Sequence, residues 1–447
     1  MTLRIVDTLY PVNATPDNPS WRLAVLTGLL FGLVGMGASA TAVTVPDVTA
    51  HFGIRVELGA WLISGYTLSL AVTTAMYGRV ADRVGVRAPF TLGVVLMSFG
   101  AAVSACTVSY ELLIVARVVQ GAGAACVPVL ALSAIRVNHS GAQRSRVTTR
   151  MTGVALVFGS TGPVLGGVLE AAIGWRAALA LPVLGVGLLI PLWRCLPNSG
   201  GGGALDALGA LWVALTATGL VLVVQATSTG AVVAWVGLGC LVVGLPSAVA
   251  RLRRRPHGFV PHAVLSDRSL LVEVLAASTV PASWYGMLVV IPVALSLRGW
   301  DAFEIGLALL PGLFAGLLGP ALARQLFHRV SPRALLQTAA GIAVSSLLLV
   351  AAGTSHSPVA VLVGVFLISM AFSIGQPSLA AVVNASVPAQ IGGVALGLAT
   401  LVFMLGGGVG SAVGSVVTTL GPGPTLIVLA VLPLTALVAL ARPRQPR

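Results

Sequence analysis

The sequence predicts an all-α integral membrane protein of fourteen transmembrane helices, grouped as six, an inserted pair and six (6+2+6), with both termini cytoplasmic. Three observations carry this reading. First, the 447 residues are 57% hydrophobic and only 8% charged, against about 25% charged in an ordinary soluble domain, so the chain cannot cover itself with a water-compatible surface. Second, it breaks into fourteen apolar runs near the ~20 residues that a bilayer requires. Third, its 25 basic residues are all arginine and fall almost entirely in alternate linkers. The net charge of +13 then reflects orientation in a lipid bilayer and not a nucleic-acid partner.

The runs lie at 21–45, 58–80, 88–107, 110–135, 147–172, 175–194, 206–227, 231–250, 269–297, 303–325, 333–353, 357–382, 390–418 and 422–441. Residues 1–20, polar with Pro11, Pro16 and Pro19, read as a cytoplasmic tail. Ala38-Ser39-Ala40 mimics a signal cleavage site, but the apolar run continues and many more follow, so the first span stays uncleaved. Residues 21–200 make a first six-helix bundle, 201–250 an inserted pair opened by the glycine tract at 200–203, and 251–268 a basic cytoplasmic linker with Pro256 and Pro261. Residues 269–441 make the second bundle and 442–447 a cytoplasmic tail. With the N-terminus inside, 21 arginines lie on the cytoplasmic side, only Arg55, Arg176 and Arg298 outside, and Arg117 within a span, a strong positive-inside asymmetry. The arrangement places the chain in the cell (cytoplasmic) membrane as a multi-pass protein.

Span 5 carries GVALVFGSTGPVLGG. Gly159, Gly162 and Gly166 fall at i, i+3 and i+7 on one helix face, with Gly153 a turn and a half earlier and Pro163 and Gly167 beside it. A soluble helix would be weakened by about 1 kcal/mol per glycine and about 3 for the proline. In lipid such a face lets another helix approach closely, and neighbours re-satisfy the carbonyl that the proline frees. It serves either static packing or sliding. Span 13 carries GLATLVFMLGGGVGSAVG with Gly406, Gly407, Gly408 and Gly410 in a comparable position, and spans 2 and 10 each run into a basic turn. Such parallel repeats are the usual pointer to a transporter.

Arg117 lies several residues into span 4, with Gln120 and Gly121 at i+3 and i+4 on its face. Mid-bilayer arginine costs about 2.5–3.5 kcal/mol on insertion scales, so it must face protein or a wet cavity. It either tunes a nearby acid, binds an anionic group or anchors structure. The acids near spans are Asp47, Glu111, Glu170 and Glu273, each a candidate proton carrier or a membrane-edge residue. The turn Gly78 to Arg87 holds Arg79, Asp82, Arg83, Gly85 and Arg87, either a latch on one conformation or a solvated basic loop. Tyr66, Phe158, Trp284, Tyr285, Met287, Phe403 and Met404 are candidates to wall an apolar cavity. Cys106, Cys126, Cys195 and Cys240 form no CxxC and no Cys/His cluster, so neither a metal site nor a cofactor is expected. With no lysine there is no Walker A motif, and HExxH and GxSxG are also absent, which argues against a nucleotide-driven pump or a membrane enzyme.

These motifs resemble the major facilitator superfamily, and within it the fourteen-helix drug–proton antiporter family. GRVADRVGVR (78–87) is similar to the superfamily's loop after span 2. LLIVARVVQGAGAA (112–125) is similar to its span-4 motif, and GVALVFGSTGPVLGG to the antiporter motif of span 5. Trp61 and Tyr66, LDALG (205–209), and Gly392, Gly393 and Gly397 fit as well. The resemblance implies two six-helix bundles rocking about a midplane substrate site. It implies that Gly78, Asp82, Arg83, Gly85 and Arg87 gate the cytoplasmic side. Arg117 and Gln120, with Asp47 and Glu273, would serve proton coupling, and Gly153, Gly159, Gly162, Pro163, Gly166 and Gly167 would form the interface that biases exchange. Tyr66, Phe158, Trp284, Tyr285 and Phe403 would wall the substrate cavity. One departure stands out: nine residues before Pro46, where the family commonly has Asp, this chain has Gly37, and a nearby family Asn is Ala42. The implied function is export of small lipophilic molecules in exchange for protons by a chain functional as a monomer. A facilitator-type transporter of another solute and a non-transporting membrane sensor or scaffold are the alternatives.

Overall fold

Each long apolar run becomes helix because in hydrocarbon the backbone must satisfy its own hydrogen bonds. The computed structural model describes residues 19–198, 206–254, 267–327, 329–353, 357–387 and 389–441. Nearly all of the expected N-terminal tail, the glycine tract, most of the basic linker and the C-terminal tail lie outside the described residues. The first part of the chain holds α1 (Pro19–Phe52), the short α2 (Val56–Gly59), α3 (Trp61–Val84), α4 (Arg87–Cys106), α5 (Tyr110–Ala124), α6 (Cys126–Asn138), α7 (Gly141–Ser160), α8 (Gly162–Ile173), α9 (Trp175–Ala180) and α10 (Gly185–Leu192). Then come α11 (Ala207–Thr229) and α12 (Ala231–Arg254). The last part holds α13 (Arg268–Ser296), α14 (Ala302–Ala308), α15 (Pro311–Phe327), α16 (Pro332–Gly353), α17 (Pro358–Ser386), α18 (Ala389–Gly414), α19 (Val417–Leu420) and α20 (Pro422–Ala441). Among the described residues, eleven helical stretches are long and apolar enough to cross a membrane.

Several boundaries differ from those expected, each for a local reason. α1 runs on through Pro46 to Phe52, longer than the apolar run that announced it. The stretch from Gly78 was expected to be a turn; it is helical as far as Val84, and Gly85, at φ 85°, closes the helix. Only glycine adopts that backbone without strain. Span 4 breaks at Ala125 and span 5 at Thr161. Pro163 therefore sits in the first turn of α8, where its missing N–H is no loss. The Thr161 hydroxyl donates to the Phe158 carbonyl at 2.7 Å across that break. A single residue, Gly230 at φ 103°, joins α11 to α12, so these two helices pack as a tight antiparallel pair.

The helices before residue 200 pack chiefly on one another, and so do those after 267. The two groups meet along two seams: α3 against α18, and α7–α8 against α14–α15. The internal repeat explains this pairing. Span 5 resembles span 13, and span 2 resembles span 10, so each seam joins one copy of each motif. The glycine faces correspond too. In the first half they rest on α1, and in the second Gly406, Gly410 and Gly414 rest on α13, at Ser278, Ala282 and Gly286. The inserted α11 touches both halves, on α3 and on α18.

Candidate functional site

Between the two halves lies a cavity with about 1180 Å³ of atom-free space, open side included. The first half contributes Phe31, Val34, Gly35, Ala38 and Ser39 from α1, Leu70 and Thr74 from α3, and Pro128 from α6. It also contributes Thr152, Ala155, Leu156, Gly159 and Ser160 from α7 and Pro163 from α8. The second half contributes Trp284, Tyr285 and Leu288 from α13, Leu309, and Gly312 and Gly316 from α15. Ser369, Phe372, Ser373 and Gln376 of α17 and Thr400 and Met404 of α18 complete it. Among the described residues none that lines it is charged. Most of the hydroxyls are spent: Ser39, Thr74, Thr152, Ser369 and Thr400 each donate to a carbonyl one turn back on their own helix. The wall is thus an apolar surface with a few larger polar groups, chiefly the Trp284 indole, the Tyr285 hydroxyl and the Gln376 amide. Such a composition suits a lipophilic ligand oriented by a small number of hydrogen bonds.

The five aromatic residues named from the sequence divide. Trp284 and Tyr285 are on the wall. Phe403 is fully buried one layer behind, its ring 5.7 Å from Phe372, which in turn lies 6.1 Å from Trp284. Phe158 packs on Gly32 of α1, and Tyr66 is buried at 1% exposure beneath Arg117. Tyr66, Phe158 and Phe403 therefore support the cavity from outside its lining. A helix side adjacent to a cavity is not distinguishable by composition from the side that faces it.

Arg117 is fully buried and joins three helices. Its Nε donates to the Leu62 carbonyl of α3 at 2.8 Å and its Nη2 to the Gly37 carbonyl of α1 at 2.6 Å. Its Nη1 donates to Gln120 Oε1 at 2.6 Å. The guanidinium lies 4.5 Å from the Tyr66 ring centre, and the Tyr66 hydroxyl donates to Val34 O at 2.7 Å. Every acceptor is neutral. A Cβ on Gly37 would stand 3.0 Å from the Tyr66 hydroxyl and 3.5 Å from Gln120 Nε2, so the cluster closes directly on the Gly37 backbone. Gln120 Nε2 is buried and has no hydrogen-bond partner among the described residues. Neither Arg117 nor Gln120 is on the cavity wall.

Among the described residues no acid pairs with Arg117. Glu273, fully buried in α13, pairs with Arg333 at 3.1 Å. Arg333 also donates to the Leu440 carbonyl at the end of α20, as does Gln337 at 2.7 Å. This cluster clamps α13, α16 and α20 together, where a guanidinium also complements the negative end of the α20 dipole. Glu170, on α8 and 8% exposed, lies beside Asp47 of α1, and among the described residues no donor reaches either of its oxygens. The sequence showed both acids but not that α1 and α8 bring them together. Glu111 is exposed in the first turn of α5.

In the basic segment, Arg87 donates twice to the Leu196 carbonyl, at 3.1 and 2.8 Å, and covers the Trp193 ring. It binds the segment to the end of the sixth span in its own half. Gly78 sits against Val129 of α6, and Arg83 is exposed. The side chains of Arg79 and Asp82 lie outside the described residues.

The glycines of span 5 serve two different partners. Gly159, Gly162 and Gly166 face α1, at Gly32, Met36 with Ser39, and Ala40. They do share one face, as their spacing requires, but that face packs inside the first half. The contact between halves is made one residue further on. A Cβ on Gly167 would stand 2.5 Å from the Ala302 carbonyl oxygen and 3.0 Å from Phe303 Cα, and one on Gly306 would stand 2.6 Å from the Pro163 carbonyl oxygen. Gly167, Pro163 and Gly306 therefore let two backbones touch directly across the seam. Gly153 is buried in α7.

Comparison with known proteins agrees with this architecture. The sequence profile of the Major Facilitator Superfamily matches residues 27–411. The chain is 26% identical to "Multidrug resistance protein Stp" of Mycobacterium tuberculosis over 403 residues, 88% of this chain and 75% of that one. It is 30% identical to "Cephamycin export protein CmcT" of Amycolatopsis lactamdurans over 331 residues, 70% of this chain and 67% of that one. A crystal structure of a peptide transporter POT in complex with sulfate superposes with a TM-score of 0.71 at 14% identity, covering 98% of this chain and 96% of that one. At that identity the likeness concerns the fold alone.

Proposed function

The chain belongs to the Major Facilitator Superfamily and is a multi-pass transporter of the cell membrane, and from that premise we propose that it exports neutral lipophilic small molecules in exchange for protons by alternating access. The observation that carries the substrate class is the cavity wall, drawn from both halves and free of charged side chains among the described residues. A cationic ligand would lose its hydration there without gaining a counter-charge. The relatives named for multidrug resistance and cephamycin export support outward transport. In this reading the fourteen spans run 6+2+6 with both termini cytoplasmic, and a single chain is the working unit.

For the proton, the reading assigns Asp47 and Glu170. Glu170 is buried beside Asp47 with no hydrogen-bond donor on either oxygen among the described residues, and in this reading it is the group that takes up and releases the proton. His51, one turn further along α1, contacts Arg176 at 3.4 Å and stands on the same side. Glu170 is three residues from Gly167, so a change in its charge acts next to the seam. A proton moving down 100 mV supplies about 2.3 kcal/mol, nearly fiftyfold in substrate distribution at one-for-one exchange. Arg117, Tyr66 and Gln120 hold α1, α3 and α5 as one rigid block behind the cavity. The test is substrate-induced proton release from inverted vesicles. Glu170→Gln is expected to abolish proton release while substrate still binds, and Glu273→Gln to preserve it. Full proton release by Glu170→Gln would refute the assignment. Substrate movement in the wild type without any proton flux would favour an uncoupled facilitator.

A further inference from the structure

A second crevice lies between the inserted pair and the last part of the chain, with about 1110 Å³ of atom-free space, open side included. Its walls are aliphatic, for example Leu220 of α11, Val249 and Leu252 of α12, and Val274 of α13. Among the described residues Thr216 is the one polar side chain in its lining, and that hydroxyl donates to its own helix at Trp212 O, 2.8 Å away. Among the described lining residues nothing is placed to hold water, a surface that suits a hydrocarbon chain.

What stands at the end of the crevice is equally one-sided. Leu252 is flanked in the last turn of α12 by Arg251, Arg253 and Arg254, and Leu270 and Leu271 of the lining directly follow Arg268 and Ser269. Arg251 is held by Asp206 at 2.7 Å. The other acid at this end, Asp267, caps α13 by accepting from the Ser269 and Leu270 amides. Arg253, Arg254 and Arg268 are exposed. An aliphatic slot that ends in exposed arginines has the two-part chemistry of one molecule: an acyl chain joined to an anionic headgroup. We propose that this crevice is a binding site for an anionic phospholipid. Its tail wedges the inserted pair against α13 and α18, and Arg253, Arg254 and Arg268 receive its phosphate. Because α11 also touches α3, the bound lipid would set how firmly the inserted pair bridges the two halves. The proposal stands on packing and charge alone and does not depend on which solute is transported.

The experiment is native mass spectrometry of the detergent-purified full chain, titrated with phosphatidylglycerol and with phosphatidylcholine of identical acyl chains. The wild type is expected to bind one phosphatidylglycerol at least tenfold more tightly than phosphatidylcholine. Arg254→Gln with Arg268→Gln is expected to erase that preference. Leu220→Trp and Val249→Trp, which place an indole into the slot from two different helices at positions 45% and 39% exposed, should each abolish the tight binding with every arginine intact. Thermal melting of each variant establishes that it is folded. Equal affinity of the wild type for the two lipids would overturn the proposal. So would undiminished phosphatidylglycerol binding by both folded tryptophan variants, since the arginines would then be attracting surface lipid without the crevice. Recovery of a neutral apolar molecule in the crevice in place of phospholipid would overturn it as well.

Discussion

Gly167→Ala is expected to pull the two halves apart at one end. The new Cβ would stand 2.5, 3.0 and 3.1 Å from the Ala302 carbonyl oxygen, Phe303 Cα and Ala302 carbonyl carbon. All three are backbone atoms of the opposite half, so no rotamer change relieves the contact. Overpacking of this kind costs about 1–3 kcal/mol. The penalty applies only while the seam is closed, so the closed-to-open equilibrium shifts by about 5- to 150-fold. Gly306→Ala meets the Pro163 carbonyl oxygen at 2.6 Å across the same seam and should act in the same direction. The combined variant should be less than additive, because one opening relieves both clashes. Two neighbours serve as controls. Gly166→Ala meets Ala40 Cα at 2.9 Å inside its own half, and Gly159→Ala finds Gly32 at an ordinary 3.4 Å. The first should lower thermal stability without moving the seam, and the second should do neither. The assay is electron-spin distance measurement between labels at Ile173 and Leu297, both exposed near the seam, in a chain whose four cysteines are replaced. A longer-distance population should grow in Gly167→Ala alone among the three motif variants. Identical distributions for Gly167→Ala and Gly159→Ala, or an equal shift in Gly166→Ala, would refute the assignment of the seam.

Three further outcomes follow from the buried polar groups and the cavity. Arg117→Ala leaves the Leu62 and Gly37 carbonyls without their donor and should lower stability by about 3 kcal/mol or more, with Arg117→Lys intermediate, read by thermal unfolding in detergent. Glu273→Gln should cost about 2 kcal/mol by loosening the clamp on Arg333, with transport per folded molecule unchanged. Ala155→Asp puts a carboxylate on the uncharged wall and should improve export of monocationic lipophiles relative to neutral ones by at least tenfold in an accumulation assay, an effect that an unrelated cavity would not show.

Some of this was legible in the residues and some was not, and the division is physical. Helical periodicity correctly put Gly159, Gly162 and Gly166 on one face, because that depends only on local geometry. It could not say which helix meets that face, nor that Gly167, one residue on, carries the contact between halves. The same holds for charge. Arg117 and Gln120 are three residues apart on one helix, and their bond follows from spacing. The pairing of Glu273 with Arg333 closes a loop of 60 residues, and the meeting of Asp47 with Glu170 requires α8 to lie on α1. Carbonyl acceptors such as Leu62 and Gly37 leave no trace in side-chain identity. Tyr66, Phe158 and Phe403 looked like cavity residues because lining and support share one composition. The basic segment after α3 looked like a turn because its charge density is that of a loop, whereas its backbone stays helical until Gly85 offers positive φ.

The most direct test of alternating access is side-specific labelling of a cysteine on the cavity wall. Ser373→Cys on α17, in the cysteine-replaced chain, would be exposed to a membrane-impermeant thiol reagent from one side of sealed vesicles at a time. Alternating access predicts reaction from one face only in the resting protein, and a switch to the other face when substrate and a proton gradient are supplied. Equal reaction from both faces at once, or reaction from one face that no substrate or gradient changes, would contradict it.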